Sequence, residues 1–306
     1  MSDRIIYTAL LSDARISQIF WHAKTGKRRR CLKCKNRYLY KLKTTDKYKC
    51  KRCGYKFNLY SRTLLERIHF EPRTILEILH HFALDFSANK TARELELPSK
   101  RIWRVFHQTR QALKYYSLEN KFELSGVTEV DESYFGAKFK NRRKSNRKRS
   151  RRLGLVKRGR GAKILQQPVF GIYKRNGSVY VELVDDTKRK SIVPIIRNRI
   201  VKGAKIYSDT WSAYDGLVMS GYIHKRIDHG AGEYVTYDKV NNEKVHINRM
   251  EGFWGYAKER LMKYHGVSRK YLDLYIKEIE FRYNNRNLKT EGFRSKILNI
   301  LLKHWS

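Results

Sequence analysis

The chain has 306 residues, which is enough to bury a substantial core and to form two or three folded units. Its 41% hydrophobic and 13% aromatic content excludes a wholly disordered protein. The formal net charge of +39 favours a polyanionic partner, because Lys and Arg that neutralise phosphates release condensed counterions. The sequence contains no apolar run of about 18 residues and no signal-peptide pattern, so we expect an intracellular protein with no membrane partner.

The N-terminal region contains every cysteine of the chain, in two C-x2-C pairs: Cys31, Cys34, Cys50 and Cys53. Two such pairs can supply four thiolates to one tetrahedral Zn²⁺, and the β-type alternation around them predicts a zinc ribbon. Apolar residues at helical spacing between residues 3 and 23 predict a helix that packs on the ribbon. We therefore expect a first domain over residues 1–60 with structural Zn²⁺. Nucleic-acid contact and simple stabilisation of a small domain both remain open as its role.

Residues 61–120 have a helical pattern. Pro72 fits the first turn of a helix that continues through "RTILEILHHFALDF", and Ser87 or Asn89 can cap a second, short helix. After the turn "LPSK", a third helix carries a basic side: Lys100, Arg101, Arg104, His107 and Arg110. Two helices with a tight turn, the second of them basic, are typical of a helix-turn-helix DNA-binding segment. A small helical bundle used only for packing is the alternative.

The remaining region, residues 121–306, changes to strands and then to helices. "GVTEVDESYFG" predicts a strand, Asn176-Gly177 a hairpin turn, and "GAKIYSD" a strand that ends at Asp209. A helix beginning at Asp186 or Thr187 separates them, and two helices follow from about residue 248. This order predicts an α/β domain with a mixed sheet, within a multi-domain chain that is α+β overall.

Three acids of this region can meet. Asp131 lies in mid-strand and Asp209 at the end of a strand, so the two can converge on neighbouring strands. On the next helix Asn248, Glu251 and Lys258 share one face. Asp131, Asp209 and Glu251 can therefore surround one or two Mg²⁺ ions, which prefer hard oxygen ligands. Taken singly, each acid also fits a plain role as a helix cap, a surface acid or an ion-pair partner.

Strand alternation separates the acids of "EVDES". Asp131 and Glu132 must point to opposite faces, while Glu129 shares the face of Asp131. Only one of the adjacent pair can face Asp209 and Glu251.

Three stretches carry a resemblance to a known family: "VTEVDESYFGAK", "IYSDTWSAY" and "HINRMEGFWGYAKERLMKYHGVSRKYLDLYIKEIEFRYNNR". They resemble insertion-sequence transposases of the IS1595 type, which have an ISXO2-like DDE domain, and their eukaryotic Merlin relatives. The resemblance extends from about residue 28 to 290, and the family's layout also has a zinc ribbon followed by a helix-turn-helix-like segment. It implies an RNase H-like catalytic domain that cuts DNA and transfers strands.

The resemblance also implies roles for residues. The catalytic positions that match the family's DDEK pattern are Asp131, Asp209, Glu251 and Lys258. The three acids would bind Mg²⁺ or Mn²⁺, and the lysine is the basic member. Some relatives have Asn as the third ligand, which makes Asn248 a second candidate for that place. His246 is a candidate for contacting DNA or stabilising the site, with a plain loop histidine as the alternative.

Residues 138–163 form a segment rich in Lys and Arg that contains no acid. We predict a loop that is flexible in the free protein, becomes ordered on DNA, and binds phosphates without reading bases. It would equally suit a nuclear import signal in a eukaryotic host.

These observations favour a DNA transposase that binds terminal inverted repeats, cleaves with Mg²⁺ and joins the freed 3′-OH to target DNA. The alternative is a non-catalytic zinc-ribbon and helix-turn-helix regulator derived from a transposase. Pairing two DNA ends predicts a dimer or higher oligomer on DNA. We expect the protein to lie with DNA, in the nucleoid of a prokaryote or the nucleus of a eukaryote.

Overall fold

The computed structural model describes residues 11–26, 28–43, 45–120, 124–136, 144–153, 166–175, 177–210, 212–227, 236–238 and 243–303. The chain forms two compact units, one of residues 1–119 with 287–306 and one of residues 120–286. The mixed α+β class predicted from the sequence is confirmed. Within the described residues, no helix combines the length and apolarity needed to cross a membrane.

The helices, in chain order, are α1 (Asp13–Thr25), α2 (Pro72–Ala83), α3 (Ala88–Glu94), α4 (Ser99–Glu119), α5 (Lys144–Arg152), α6 (Arg189–Arg199), α7 (Asn248–Met262), α8 (Arg269–Asn284) and α9 (Thr290–Leu301). The strands are β1 (Leu39–Lys41), β2 (Tyr48–Cys50), β3 (Lys56–Phe57), β4 (Val127–Phe135), β5 (Gln167–Lys174), β6 (Val179–Leu183), β7 (Lys205–Asp209), β8 (Ile223–Ile227), β9 (Thr236–Asp238) and β10 (Glu243–Val245).

The first unit begins with a helix packed on a β-ribbon, as the sequence predicts. The Ser12 hydroxyl caps α1 by accepting from the main-chain nitrogen of Arg15 at 3.2 Å. Strands β1, β2 and β3 form an antiparallel sheet in that order. Trp21 of α1 packs edge-on against Tyr48 and Phe57, with ring centroids 5.0 and 6.1 Å apart. The apolar side of the ribbon is therefore buried by α1.

Four helices complete the first unit. Pro72 occupies the start of α2, and the Ser87 hydroxyl caps α3 by accepting from Lys90 N. A short connection of residues 95–98 then leads to α4. The last helix, α9, packs against α1, α2 and α4 through a buried apolar stripe that includes Phe293, Ile297 and Leu301. The third predicted domain, 121–306, included this helix, whereas its packing partners all lie in the first unit.

The second unit is built on a five-stranded mixed sheet in the order β6-β5-β4-β7-β8. β4, β5 and β6 are antiparallel neighbours, and β4, β7 and β8 are parallel neighbours. The predicted hairpin is confirmed, because Tyr173 of β5 pairs with Val179 of β6. Asn176 itself lies outside the described residues.

Helices cover both faces of this sheet. One buried cluster joins Val130 and Ile206 of the sheet to Ile192 and Ile196 of α6. A second cluster joins Val169 and Val181 to side chains of α7 and α8. The α6 helix begins at Arg189, later than predicted, because the Asp186 carboxylate accepts from Lys188 N and Ser191 Oγ ahead of the first turn.

The basic segment 138–163 is only partly described. Its residues 144–152 form helix α5, so the prediction of a loop is wrong for this stretch. Arg and Lys have high helix propensity, which explains how a run without apolar residues can be helical. The remaining parts, residues 138–143 and 154–163, lie outside the described residues.

Candidate nucleic-acid and metal sites

The four cysteines converge at one end of the ribbon. Their sulfur atoms all lie within 4.8 Å of one another. Cys31 and Cys34 form one turn, closed by Lys35 N donating to Cys31 O, and Cys50 and Cys53 form the other, closed by Gly54 N donating to Cys50 O. The positive φ of +68° at Gly54 suits glycine at this turn. Four soft ligands that converge in this way fit a tetrahedral ion, so these cysteines can hold a metal such as zinc.

Asp131 and Asp209 lie at matching heights on adjacent parallel strands. Glu129 of β4 is the register partner of Tyr207 of β7. Asp131 and Asp209 each lie two residues further along their own strand, so they are level with each other. Because side chains alternate, both acids are on the face covered by α7. Asp131 is fixed there, since its Oδ2 accepts from Trp254 Nε1 of α7 at 3.0 Å.

Helix α7 brings Glu251 close enough for its charge to act on Asp131. Its apolar stripe, which includes Met250 and Trp254, is buried on the sheet. Gly171, the cross-strand partner of Asp131, makes this packing possible, because a Cβ there would lie 2.1 Å from Met250 Cε. The exposed face next to this stripe carries Asn248, Glu251, Gly255 and Lys258.

Electrostatic interactions link these acids. Burial raises the pKa of Asp131 to about 7, and the charges of Asp209 and Glu251 add to the rise, while hydrogen bonds from the backbone and from Trp254 oppose it. Asp209 and Glu251 are therefore each close enough to repel the charged form of Asp131. Among the described residues, however, the four cysteines are the only group of three or more His, Cys, Asp or Glu side chains whose ligand atoms all lie within 4.8 Å of one another.

Glu132 points to the opposite face of β4, as alternation predicts. Its Oε1 accepts a hydrogen bond from the Tyr214 hydroxyl, and Tyr214 belongs to the apolar cluster beneath α6. Burial raises the pKa of Glu132 to about 8, and the charges of Asp131 and Asp209 add to the rise. Glu132 is thus a partly buried acid outside the Asp131 face.

The sequence did not single out Glu129, yet the structure places it at the centre of a buried network. Its side chain is fully buried and accepts from the main-chain nitrogens of Arg249 and Met250, both at 3.1 Å. The Arg175 guanidinium donates to its other oxygen at 3.0 Å. These contacts tie the start of α7 to the strand that carries Asp131.

His246 belongs to this network. Its Nδ1 is 3.6 Å from Glu129 Oε1, and its carbonyl accepts from Arg175. Lys258 and Asn248 are exposed on the Glu251 face of α7, and Asn248 is the first residue of that helix.

The helical segment of the first unit also carries an exposed basic surface. Lys100, Arg101 and Arg104 project from α4, the helix that follows the short connection after α3. Arg110, predicted on the same side, is instead only 2% exposed, and its guanidinium lies 5.7 Å from the centre of the Phe82 ring. The one-sided basic pattern therefore ends before the last turns of α4.

Comparisons with known proteins identify a family. The profile of the ISXO2-like transposase domain matches residues 123–284, which include β4, β7 and α7. An uncharacterised transposase-like protein of Haemophilus influenzae is 34% identical over 113 residues, or 37% of this chain and 86% of that protein. An uncharacterised protein in the transposable element ISH50 of Halobacterium salinarum is 28% identical over 241 residues, 78% of each chain.

The family profile and these relatives define the class of the protein, which is a transposase-like protein of a DNA-binding family. Within that class the chain belongs to the family of the ISXO2-like transposase domain, of the IS1595 type. The resemblance found in the sequence is confirmed.

Proposed function

We propose that the protein is a DNA transposase whose second unit cleaves DNA at the ends of its element and transfers the freed strands to a target. The observation that carries this proposal is the register of two strands. Asp131 and Asp209 lie at the same level on adjacent parallel strands, on the face covered by the helix that contains Glu251. The sheet order supports an RNase H-like fold, with three antiparallel strands followed by two parallel to the first.

The acids suit a divalent ion. Carboxylate oxygens are the ligands that Mg²⁺ and Mn²⁺ prefer. Burial is the main cause of the raised pKa of Asp131, and the charges of Asp209 and Glu251 add to it, so a bound cation would favour the ionised form. Asp131, Asp209 and Glu251 would hold the ions, with Asn248 as the second candidate for the third ligand. When bound, such ions activate an attacking oxygen and stabilise a leaving one.

The chemistry is two phosphoryl transfers. Water attacks the phosphorus at the element's end, the P–O bond to the 3′ oxygen breaks, and that oxygen leaves as a free 3′-OH. The 3′-OH then attacks a phosphorus of target DNA and displaces the target's 3′ oxygen. Trp254 holds Asp131 in one orientation through this cycle. Lys258, exposed seven residues after Glu251, would contact a phosphate near the scissile bond.

The first unit would supply recognition of the terminal repeats. The exposed basic start of α4 suits a recognition helix, and the ribbon, with Zn²⁺ on its four cysteines, would flank it. The proposed functional regions are residues 1–60, residues 61–120 and the transposase region 121–306, with the basic segment 138–163 as a phosphate-binding part. A dimer or higher oligomer on DNA would hold two ends together.

The test is cleavage and joining of a labelled duplex that carries the element's own terminal repeat. Purified protein with Mg²⁺ or Mn²⁺ should nick the end and join it to plasmid DNA, and a Lys258→Ala variant should do so at least tenfold more slowly. The proposal fails if the protein neither cuts nor joins and an Asp131→Asn variant behaves identically.

A non-catalytic DNA-binding regulator is the second candidate. One observation favours it. Among the described residues, only the four cysteine thiols lie as close together as the ligands of a metal ion do, and the three proposed acids do not. Metal titration separates the two functions, because a regulator should bind one Zn²⁺ per chain and show neither Mg²⁺ binding nor Mg²⁺-dependent cleavage.

A further inference from the structure

One face of the zinc ribbon carries exposed aromatic rings among lysines. In the sheet register Tyr40 of β1 is paired with Lys49 of β2, which is paired with Lys56 of β3. Cross-strand partners lie on the same face of a sheet, so these three side chains form a row across the ribbon. We call the row and its two flanking residues, Tyr38 and Lys51, the outer face.

The flanking residues extend this row. Tyr38 lies just before β1, two residues before Tyr40, and we infer the same side from strand alternation. Lys51 lies two residues after Lys49, and its main-chain nitrogen donates to Tyr38 O at 3.0 Å, which continues the strand pairing. The opposite side of the ribbon is apolar and carries the buried Tyr48 and Phe57 that α1 covers.

The two tyrosines are unusually exposed for aromatic residues. Tyr38 is 72% exposed and Tyr40 46%, although each ring could bury a large apolar area in a core. Packing within the chain therefore does not account for them. Their surroundings are strongly basic, since Asp46 is the only acid among residues 28–57 and it pairs with Lys41.

We propose that the outer face binds single-stranded DNA, with the rings of Tyr38 and Tyr40 stacking on unpaired bases and the lysines contacting phosphates. Aromatic rings on a basic surface are how proteins bind single strands without reading their sequence.

This inference adds a second DNA-binding mode to the proposed recognition of duplex repeats by α4. It does not depend on catalysis, because the outer face lies in the first unit, whereas the proposed catalytic acids lie in the second. The exposed rings and positive charges of this face are what favour single-stranded DNA as the ligand. A duplex partner would offer phosphates to the lysines, but its bases would already be stacked on each other.

The experiment measures binding of the full-length, zinc-loaded protein to a labelled oligothymidine of about 16 nucleotides by fluorescence anisotropy. A duplex of equal length is measured at the same salt concentration. The double variant Tyr38→Ala/Tyr40→Ala should weaken single-strand binding at least about tenfold and leave duplex binding within about twofold. The matched variant Tyr38→Phe/Tyr40→Phe keeps both rings and should bind as the parent does. Zinc content and circular dichroism establish that each variant is folded.

The lysines give a second measurement. Lys49→Ala/Lys56→Ala should reduce the slope of log affinity against log salt for the single strand by about 1.4, if each contacts one phosphate. Three results would overturn the proposal: unchanged single-strand binding in the Ala variant, an equal loss on the duplex, or a loss in the Phe variant as large as in the Ala variant.

Discussion

The buried carboxylate of Glu129 accepts a hydrogen bond from the main-chain nitrogen of Met250 at 3.1 Å, which joins the strand that carries Asp131 to the helix that carries Glu251. A carboxylate at a helix N-terminus also interacts favourably with the helix dipole. This contact would fix the distance between two of the proposed metal ligands.

We expect Glu129→Gln to lower both stability and Mg²⁺ affinity. The amide keeps one acceptor but removes the charge that Arg175 faces, at a cost of about 3 kcal/mol in the free energy of unfolding. Urea unfolding and calorimetric Mg²⁺ titration measure the two effects. Glu259→Gln, on the exposed side of the same helix, is the control and should change neither. Parent-like Mg²⁺ affinity in Glu129→Gln would show that the contact does not position the site.

Adjacent residues of β4 should behave differently. Asp131→Asn should abolish cleavage, at least about a thousandfold, while duplex binding stays within about twofold, because the change leaves the DNA-binding surface intact. Glu132→Gln, on the other face beside Tyr214, should retain most of the activity. Single-turnover cleavage and anisotropy measure both properties. Equal loss in the two variants would contradict the assignment of Asp131.

Glu251 and Asn248 compete for the role of third ligand. Glu251→Gln removes an anion whose charge reaches Asp131, so it should weaken Mg²⁺ binding by at least about tenfold. Asn248→Ala removes a neutral amide and should have less than about a threefold effect. Isothermal titration with Mg²⁺ ranks the two, and the reverse order would assign the site to Asn248.

The buried acids predict a pH dependence of stability. The pKa values of Asp131 and Glu132 are raised to about 7 and about 8, so the folded protein holds more protons than the unfolded chain between about pH 4 and pH 8. Without divalent ions, the contribution of these two carboxyl groups to the free energy of unfolding should therefore be greatest below about pH 4 to 5. It should fall as the pH rises to 8. Thermal unfolding measures this fall, which Glu132→Gln should reduce.

Divalent ions should oppose this loss of stability at higher pH. Ligand carboxylates must be ionised to bind, so Mg²⁺ affinity should rise through about pH 7 as Asp131 loses its proton. The stabilisation by Mg²⁺ should then be larger at pH 8 than at pH 6. Stabilisation independent of pH would argue that Asp131 is not a ligand.

Removal of zinc should affect the first unit alone. One equivalent of Zn²⁺ is expected per chain, and Cys50→Ser or a strong chelator should unfold the ribbon, because binding free energy at such sites is folding free energy. Single-strand and duplex binding should fall, whereas Mg²⁺ binding by the second unit should persist. Metal analysis with near-UV circular dichroism checks this, and a ribbon that stays folded without metal would refute the structural role.

Much of the second unit follows from local patterns. The alternation of β4, the Asn176-Gly177 turn and the apolar stripe of α7 each predict an element from neighbouring residues. The same periodicities placed Asp131 and Glu132 on opposite faces. Local patterns succeed here because burial on one face imposes a period on the sequence.

Long-range contacts explain what the sequence did not show. The partners of Glu129 lie 46 and 120 residues away, at Arg175 and Arg249, so no spacing near Glu129 reveals them. An acid in an apolar strand looks the same whether it binds an ion or caps a distant helix. The burial of Arg110 likewise depends on rings of α2 and α4 that pack around it.

The position of α9 has a consequence for synthesis. The apolar stripe of this helix completes the core of the first unit, yet it is made after the whole second unit. Domains generally fold as they leave the ribosome, so the second unit can fold before the first is finished. A chain whose synthesis has not yet reached α9 would thus leave the apolar sides of α1, α2 and α4 without the helix that covers them, so the first unit can reach its final packing only at the end of translation.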